Sequence, residues 1–268
     1  MSRRAPQPPL AAFVLHQYDW SETSLIVELF TRERGRVVVA AKGAKRPTSQ
    51  LRPVLLPLQR IAVTLGRTPG DDSREVHTLR SAEWGGGPPM PGGDAIFRGF
   101  YLNELLLKLL ARQDPAPRLF DAYAQTLPAI AGADASVAAA GLRAFELVLL
   151  RETGVLPELD RLTTTLEAVR AGMPCLLRPE LGLVPAGRHE EPGEAIDGAH
   201  WLALQRALEG DRLAALQAAC LEIARPLRHQ LRQLLHYHLG QPTLRSREAM
   251  LDLQRLAAPP PNPSAKPR

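Results

Sequence analysis

The residues of this chain with the clearest chemistry are basic side chains near the amino terminus. Residues 32–52 carry seven lysines and arginines against a single acidic residue, Glu33. The seven are Arg32, Arg34, Arg36, Lys42, Lys45, Arg46 and Arg52. Cations gathered in one segment attract polyanions and neutralise the phosphates of nucleic acids. Charge alone leaves a second interpretation open, in which the segment is a solvated basic loop without a ligand.

The distribution of charge along the chain singles out the first third. Residues 1–84 hold 13 Lys and Arg against 8 Asp and Glu, whereas residues 85–268 hold 20 of each. The formal net charge of +5 therefore belongs entirely to the amino-terminal part. We expect this part, rather than the remainder, to contact nucleic acid.

Motifs for enzymatic or metal chemistry are missing from the sequence. The segment GAKR at 43–46 lacks the first glycine and the Lys-Ser/Thr pair of a phosphate-binding loop. His236 and His238 lie two residues apart, which on a helix places them on different faces. Cys175 and Cys220, the only cysteines, cannot complete a four-thiolate zinc site. We therefore expect no enzyme activity, no cofactor, no bound metal and no small-molecule substrate.

Aromatic residues are absent from the basic segment itself. In the first 84 residues they are Phe13, Tyr18, Trp20, Phe30 and Trp84. Proteins that hold single strands through their bases combine cations with aromatic stacking. The pattern here instead predicts a basic strip that contacts phosphates and leaves the bases free to pair. Phe13 and Phe30 favour core positions, while Tyr18 and Trp20, in a polar turn, fit either a core position or a base contact.

Five short apolar segments, separated by turn residues, indicate five strands before residue 85. They are residues 13–15, 25–30, 35–40, 59–65 and 75–79, with a turn at 69–72. Five short strands in about seventy residues are typical of the oligonucleotide/oligosaccharide-binding (OB) barrel. The basic segment would then lie on strand three and the connections beside it.

Glycines and prolines at 85–93 predict a linker, after which the apolar residues take on helical spacing. The predicted helices are 94–112, 118–131, 136–153 and several from 198 onward. Among the later helices, Asp211 is a candidate cap, and Pro226 predicts a kink or a restart. A last helix is predicted from Ser246 to about 256.

The expected fold is therefore α+β, with an OB-fold domain at 1–84 and a mainly α-helical domain at 94–256. Residues 159–194 interrupt the helical spacing, and 175–177 with 182–184 predict a small hairpin there. The tail at 257–268 holds five prolines in twelve residues and is expected to be disordered.

The composition is typical of a globular protein of the cytoplasm. Of the 268 residues, 45% are apolar and 23% are charged. Apolar runs such as 105–107 fall far short of the ~20 residues that a membrane span needs. Arg3 and Arg4 precede an apolar stretch at 10–15 that is too brief for a signal-peptide core. We expect a cytoplasmic protein that does not contact membranes.

Nine short motifs follow one another along the chain. They are AFVLH at 12–16, WSETSL at 20–25, FT at 30–31, GRV at 35–37, AKGA at 41–44, TLRSAE at 78–83, YLNELL at 101–106, LRAFEL at 142–147 and LRSRE at 244–248. In this order and spacing, over residues from about 10 to 256, they resemble the bacterial RecO family of recombination mediators.

The resemblance implies an OB-fold domain that binds single- and double-stranded DNA, and a helical domain behind it. It implies annealing of complementary strands at the nucleoid. It also implies that the protein, together with RecR, helps RecA to displace the single-stranded-DNA-binding protein, SSB. The seven cations of residues 32–52 would be the DNA contacts.

By the same resemblance, Arg143 and Arg228 of the helical domain would bind the acidic carboxyl-terminal tail of SSB. A guanidinium suits a carboxylate because it offers two parallel hydrogen bonds. From the residues alone, Arg143 is also compatible with an exposed helix arginine. Many relatives carry a four-cysteine zinc module, of which this chain keeps only Cys175. The hairpin would then be a zinc-ribbon-like remnant without metal.

Two other functions are compatible with the residues. One is an RNA-binding OB-fold protein without a role in repair, which competition between DNA and RNA oligonucleotides would separate. The other is an enzyme with an unrecognised site in its helical half, which a ligand screen by thermal shift would detect.

Overall fold

The structure is a computed structural model, and it describes residues 8–66, 75–187, 193–240 and 244–257. The turn predicted at 69–72 and the predicted tail beyond Ala257 lie outside these residues. The chain forms a closed β-barrel followed by helices and a small sheet. The predicted α+β fold is confirmed.

Five strands form the predicted OB barrel. They are β1 Leu10–Asp19, β2 Leu25–Thr31, β3 Gly35–Ala41, β4 Arg60–Leu65 and β5 Val76–Trp84. The order around the barrel is β1-β2-β3-β5-β4, with parallel pairing of β3 to β5 and antiparallel pairing of β4 to β1. Strands β1 and β5 are longer than predicted, because backbone pairing continues past their apolar residues: Asp19 pairs with Leu25, and Trp84 with Ile61.

Side chains alternate between the interior and the outer face of the barrel, as strand geometry requires. Val27 of β2 and Val39 of β3 belong to the cluster of buried side chains inside the barrel. Phe13 of β1 and Phe30 of β2 point outward and belong to a second cluster shared with the helices. Both phenylalanines are buried, as predicted, but outside the barrel rather than within it.

Seven helices are present in the described residues. They are α1 Asp94–Leu109, α2 Pro117–Ala131, α3 Ala135–Glu152, α4 Gly198–Glu209, α5 Leu213–Leu221, α6 Ala224–Leu239 and α7 Arg245–Ala257. None of these helices is long and apolar enough to cross a membrane.

The barrel and the helices share one hydrophobic core. The ring of Phe120 on α2 lies 5.2 Å from that of Phe13 and 5.4 Å from that of Phe30, centroid to centroid. Leu58, from the connection between β3 and β4, packs so closely on α1 that a Cβ at Gly99 would collide with it. The barrel is therefore docked firmly by one side of its outer face.

The predicted helix ends agree with the structure at Pro226 and differ from it at Asp211. Asp134 caps α3 by accepting from the Ser136 N–H at 2.8 Å. Asp211 does not cap α5, so that prediction is wrong: its φ is +53°, and its carboxylate accepts from Arg118 instead. The predicted break at Pro226 is a restart, because α6 begins at Ala224 and the proline lies in its first turn.

The predicted hairpin is confirmed as β6 Pro174–Arg178 paired with β7 Gly182–Pro185, and β8 Ile196–Asp197 adds a third strand. Cys175 on β6 is buried, and this burial raises the pKa of its thiol. Among the described residues, no three His, Cys, Asp or Glu side chains are grouped so that they could hold a metal ion.

Candidate nucleic-acid interface and helical cavity

Strand β3 divides the seven predicted cations into two groups. Arg32, Arg34 and Arg36 lie at its first end, and Lys42, Lys45, Arg46 and Arg52 follow its last residue, Ala41. At about 3.3 Å per residue, the two ends of the strand are about 20 Å apart. The expectation of a single basic strip is therefore wrong.

The first group joins the barrel to the helices. Nε and Nη2 of the Arg32 guanidinium donate to the two carboxylate oxygens of Asp121 on α2, at 3.0 and 2.9 Å. Nη1 of Arg36 donates to the carbonyl of Leu107 at 2.7 Å, and this side chain is only 15% exposed. Burial lowers the pKa of Arg36, although Glu28 beside it opposes the shift. These two arginines have protein partners where the prediction assigned them phosphates.

Arg34 lies in the β2–β3 turn, which is also packed against the helical part. Gly35 has a φ of +63°, and a Cβ there would overlap the carbonyl oxygen of Asp114. The Thr31 hydroxyl fixes the turn by donating to the Gly35 carbonyl and accepting from the Arg34 N–H. The Arg34 side chain is half-buried. The whole turn therefore belongs to the junction between barrel and helices.

The second group lies at the opposite end of the barrel. Lys42, Arg46 and Arg52 are exposed, and none of them forms an ion pair with another described residue. Lys45 pairs with Asp19 at 3.2 Å and also donates to the Ser21 carbonyl. Burial of Ala44 and Leu55 in the barrel core anchors the connection that carries these cations.

Strand pairing adds a cation that sequence reasoning missed. Because Ala40 of β3 lies opposite Thr78 of the parallel β5, Arg80 comes level with Lys42. Arg80 is the extra residue of a β-bulge, since Leu65 pairs with Leu79 and Thr64 with Ser81. Its side chain is exposed. The sequence hid it because the apolar pattern of this strand ends at Leu79. We call Lys42, Lys45, Arg46, Arg52 and Arg80 the barrel-end cations.

Aromatic residues also reach this end of the barrel. Pairing places Tyr18 opposite Ile26, Ile26 opposite Ala40, and Ala40 opposite Thr78. We call these four residues the outer row, since their neighbours along β2 and β3 point inward. Tyr18 is 47% exposed, and Trp20, in the turn after β1, is 56% exposed. The prediction of cations without aromatic neighbours is therefore wrong, because the fold brings together residues that are distant in sequence.

A cavity of about 290 Å³ lies between α1, α3, α6 and α7. Arg143 and Arg228, predicted from resemblance, both line it. Apolar side chains supply much of the remaining wall, including Phe97, Leu142 and Met250. The cavity thus combines guanidinium groups with an apolar surface, which suits an acidic and hydrophobic peptide.

Arg143 is buried in the cavity wall rather than exposed on a helix surface. Its Nη2 donates to Oε1 of Glu146, and Tyr101 donates to the same oxygen at 2.6 Å. Burial raises the pKa of Glu146, although the neighbouring Arg143 opposes the shift. Nε of Arg143 and Oε2 of Glu146 are buried without a hydrogen-bond partner in the described residues. Arg143 therefore keeps an unused donor close to the cavity.

One wall of the cavity is held in place by Glu104 of α1. Its carboxylate accepts from the N–H groups of Arg245 and Ser246 at 3.0 and 2.9 Å, and from the Ser246 hydroxyl at 2.7 Å. Lys108 lies 3.3 Å away. Burial alone would raise the pKa of Glu104, but the hydrogen bonds from Ser246 and Arg245 outweigh it and lower the pKa. The predicted last helix thus depends on an acceptor from α1.

Two family descriptions match the chain and together cover most of it. Recombination protein O N terminal matches residues 10–86, and Recombination protein O C terminal matches residues 92–248. The first range covers the barrel, and the second covers the helices and the small sheet.

Individual proteins are similar to the chain over nearly its full length. It is 49% identical over 257 residues to the DNA repair protein RecO of Polaromonas naphthalenivorans (strain CJ2), covering 95% of this chain and 99% of that protein. It is 52% identical over 256 residues to the DNA repair protein RecO of Variovorax paradoxus (strain S110), covering 91% and 96%. The likeness therefore includes both the barrel end and the helical cavity.

Proposed function

Because the chain belongs to the RecO family of DNA repair proteins, we propose that it is a recombination mediator that catalyses no covalent step. It binds single- and double-stranded DNA and anneals complementary strands. Together with RecR, it helps RecA to replace SSB on single strands. Its place of action is the nucleoid, in the cytoplasm.

The observation that carries the DNA-binding proposal is the set of barrel-end cations. Lys42, Arg46, Arg52 and Arg80 are exposed, and Lys45 stands beside them with its charge shared with Asp19. Phosphates bind such cations by displacing condensed counterions. Arg32 and Arg36 are left out of the proposed DNA contacts, because their guanidinium groups already bind the helical part.

Annealing follows from the same cations. Two complementary strands repel each other through their phosphates, and a surface that neutralises some of this charge allows them to approach. The barrel-end cations occupy one end of the barrel and do not enclose a strand, so the base edges remain able to pair. Sequence preference is expected to be weak, since phosphate contacts carry no sequence information.

The salt dependence of binding tests this proposal. If all five barrel-end cations contact phosphates of a single strand, log K against log salt has a slope of about −3.5. A fourfold rise in salt then weakens binding about a hundredfold, as measured by the fluorescence anisotropy of a labelled oligonucleotide. A shallow slope contradicts the proposal, and a clear preference for RNA over DNA favours an RNA-binding function instead.

Matched charge variants locate the surface. The triple variant Lys42→Ala, Arg46→Ala and Arg80→Ala is expected to bind DNA more weakly and to have a slope shallower by about 2. The control removes the same charge from exposed arginines of the helical part, through Arg161→Ala, Arg170→Ala and Arg206→Ala. Equal losses in the two variants would contradict a DNA site at the barrel end.

For the helical cavity we propose the SSB tail as ligand. Arg143 would offer its guanidinium group to a carboxylate of the tail, and Arg228 would supply a second charge at the cavity wall. The apolar wall would take the hydrophobic side chains of the tail. This assignment rests on the chemistry of the cavity and on family membership.

Labelled SSB-tail peptide, titrated with the protein, tests the cavity. Arg228 is exposed, so Arg228→Gln is expected to weaken peptide binding without loss of fold. Arg143→Lys is expected to weaken peptide binding further, because lysine lacks the guanidinium fork. DNA binding should remain unchanged in both variants. Peptide affinity that is insensitive to both substitutions would place the tail elsewhere.

A further inference from the structure

We infer that the outer row of the barrel binds an unpaired DNA base, which stacks on the ring of Tyr18. This inference rests on the proposed DNA binding and specifies which part of the DNA strand the barrel contacts. The proposed DNA binding needs only contacts between cations and phosphates. The outer row adds a contact with the face of a base, which a fully paired duplex does not offer.

The geometry of the outer row supports a base-sized site. Tyr18, Ile26, Ala40 and Thr78 lie side by side on four neighbouring strands, all facing outward. The Ala40 side chain is almost fully buried, so the accessible surface of the outer row comes from Tyr18, Ile26 and Thr78. Ile26 is half-buried and apolar. An exposed aromatic ring with an apolar side chain beside it is a surface on which a flat, partly apolar ring gains contact area.

The Tyr18 ring is oriented before any ligand arrives. The ring of His16 lies 4.5 Å from it, centroid to centroid, at an interplanar angle of 75°. Even with this contact, nearly half of the Tyr18 surface is open to solvent. A tyrosine that is fixed by a neighbour loses little conformational freedom when it binds, which favours affinity.

The charges around the outer row favour nucleic acid as the occupant over another protein. Arg80 comes two residues beyond Thr78 on β5, Lys42 follows the last residue of β3, and Lys45 neutralises Asp19 next to Tyr18. A base on Tyr18 therefore has cations available for the phosphates of its own strand. On the neighbouring part of the same face, Glu28 accepts from Arg112 and Phe30 packs on Phe120, so the helical part already covers that region.

Stacking explains how one site accepts any sequence and still permits annealing. Every base has a flat face, so stacking on an aromatic ring tolerates all four bases. A base that stacks by its face keeps its Watson–Crick edge free for a complementary strand. In a duplex the same faces are covered by neighbouring base pairs, so Tyr18 should strengthen the binding of single strands only.

The test compares a short single-stranded oligonucleotide with the blunt duplex of the same sequence, by anisotropy at fixed salt. Tyr18→Ala is expected to lower affinity for the single strand about tenfold and to change duplex affinity less than about twofold. Tyr18→Phe keeps the ring and should bind like the unmodified protein. The control Trp84→Ala removes an aromatic ring that is even more exposed than Tyr18, at the last residue of β5, and should have no effect.

A second readout separates stacking from charge. Tyr18→Ala should leave the salt slope unchanged, because no cation is removed, whereas each barrel-end cation replaced by alanine reduces it by about 0.7. If Tyr18→Ala binds the single strand normally while the charge variant binds poorly, the stacking site is refuted and the proposed function stands. An equal loss on single strand and duplex, or the same loss in Trp84→Ala, also refutes it. If the unmodified protein binds no DNA even at low salt, the proposed function fails first.

Discussion

The guanidinium group of Arg143 is almost fully buried beside the carboxylate of Glu146, which is 1% exposed. Burying two opposite charges is expensive, and the pair is tolerated because each side chain neutralises the charge of the other. Tyr101 donates a hydrogen bond to the same carboxylate, and partial burial of its side chain raises the pKa of its hydroxyl. The three side chains therefore act as one unit.

Removal of the Arg143 side chain should show how strongly the buried Glu146 carboxylate depends on it. Arg143→Ala leaves the Glu146 carboxylate buried without its cation and should lower the free energy of unfolding by about 3–5 kcal/mol. Addition of Glu146→Gln should restore a large part of the loss, because a neutral amide is easier to bury than a carboxylate. Urea denaturation of both variants measures the difference. A loss below about 1 kcal/mol in the single variant would contradict the coupling.

Arg36 and Lys42 stand at opposite ends of β3 and should respond oppositely to substitution. Arg36→Ala removes the bond to the Leu107 carbonyl and should reduce the free energy of unfolding by about 1–3 kcal/mol, with DNA affinity nearly unchanged. Lys42→Ala should weaken single-strand binding about fivefold near 0.1 M salt and leave stability within about 0.5 kcal/mol. Urea denaturation and anisotropy on both variants check this. Equal DNA-binding losses in two folded variants would contradict the division of the cations.

Among the secondary-structure elements, α7 begins at a partner that another helix supplies. Its first N–H groups have no partners within the helix, as at any helix start, and Glu104 of α1 accepts two of them. Ser246, Arg247 and Met250 of α7 line the helical cavity. The carboxylate on α1 thus determines where one wall of the cavity stands.

Glu104→Gln should loosen α7 and weaken binding of the SSB-tail peptide, because the neutral amide interacts less favourably with the helix start. Hydrogen exchange at the α7 amides should become faster, while exchange in the barrel strands stays the same. The hydrogen bonds that lower the pKa of Glu104 also predict the pH response. The stabilisation is complete above the ordinary pKa of about 4.5 and is lost as the pH falls below it.

The glutamine variant is the control for this pH effect. After correction for the intrinsic pH dependence of exchange, α7 protection in the unmodified protein should fall below about pH 4.5 towards that of the variant. Protection that is unaffected by both the substitution and the acid would show that α7 is held by its apolar contacts alone.

Local patterns were enough to predict the strands, the hairpin and most helices. Short apolar runs bounded by turn residues mark β2 and β3, and the Pro-Gly linker before Asp94 marks the change to helices. Contacts between distant segments were not predictable in this way. The separation of Arg36 from Lys42, the outward turn of Arg80 at a bulge and the acceptor from Glu104 all depend on partners far along the chain.

At the scale of the whole molecule, the aromatic cluster of Phe13, Phe30 and Phe120 joins the barrel to the helices. Each of these side chains is at most 2% exposed. The barrel therefore completes its burial only in the presence of α2. We expect barrel and helices to unfold together rather than as two independent domains.

Phe120→Ala should destabilise the whole chain by about 3–5 kcal/mol, through lost burial and the cavity it leaves. In the unmodified protein, far-UV circular dichroism and tryptophan emission should report one coincident urea transition. Trp20 and Trp84 report on the barrel and Trp201 on the helices. Trp201→Phe therefore leaves only the barrel signal, and the double variant Trp20→Phe, Trp84→Phe leaves only the helical signal. Two transitions at different urea concentrations in the unmodified protein would contradict a single cooperative unit.

The shared aromatic cluster has a geometric consequence for a DNA single strand that is still covered by its binding protein when it reaches the barrel. Since barrel and helices cannot swing apart, the span from the stacking ring to the arginine-lined cavity is constant. If a coating protein is anchored in the cavity by its tail, as proposed above, the linker between that tail and its DNA-bound part has to cover the span. Shortening that linker should therefore impair hand-over of the strand, even though every individual contact remains available.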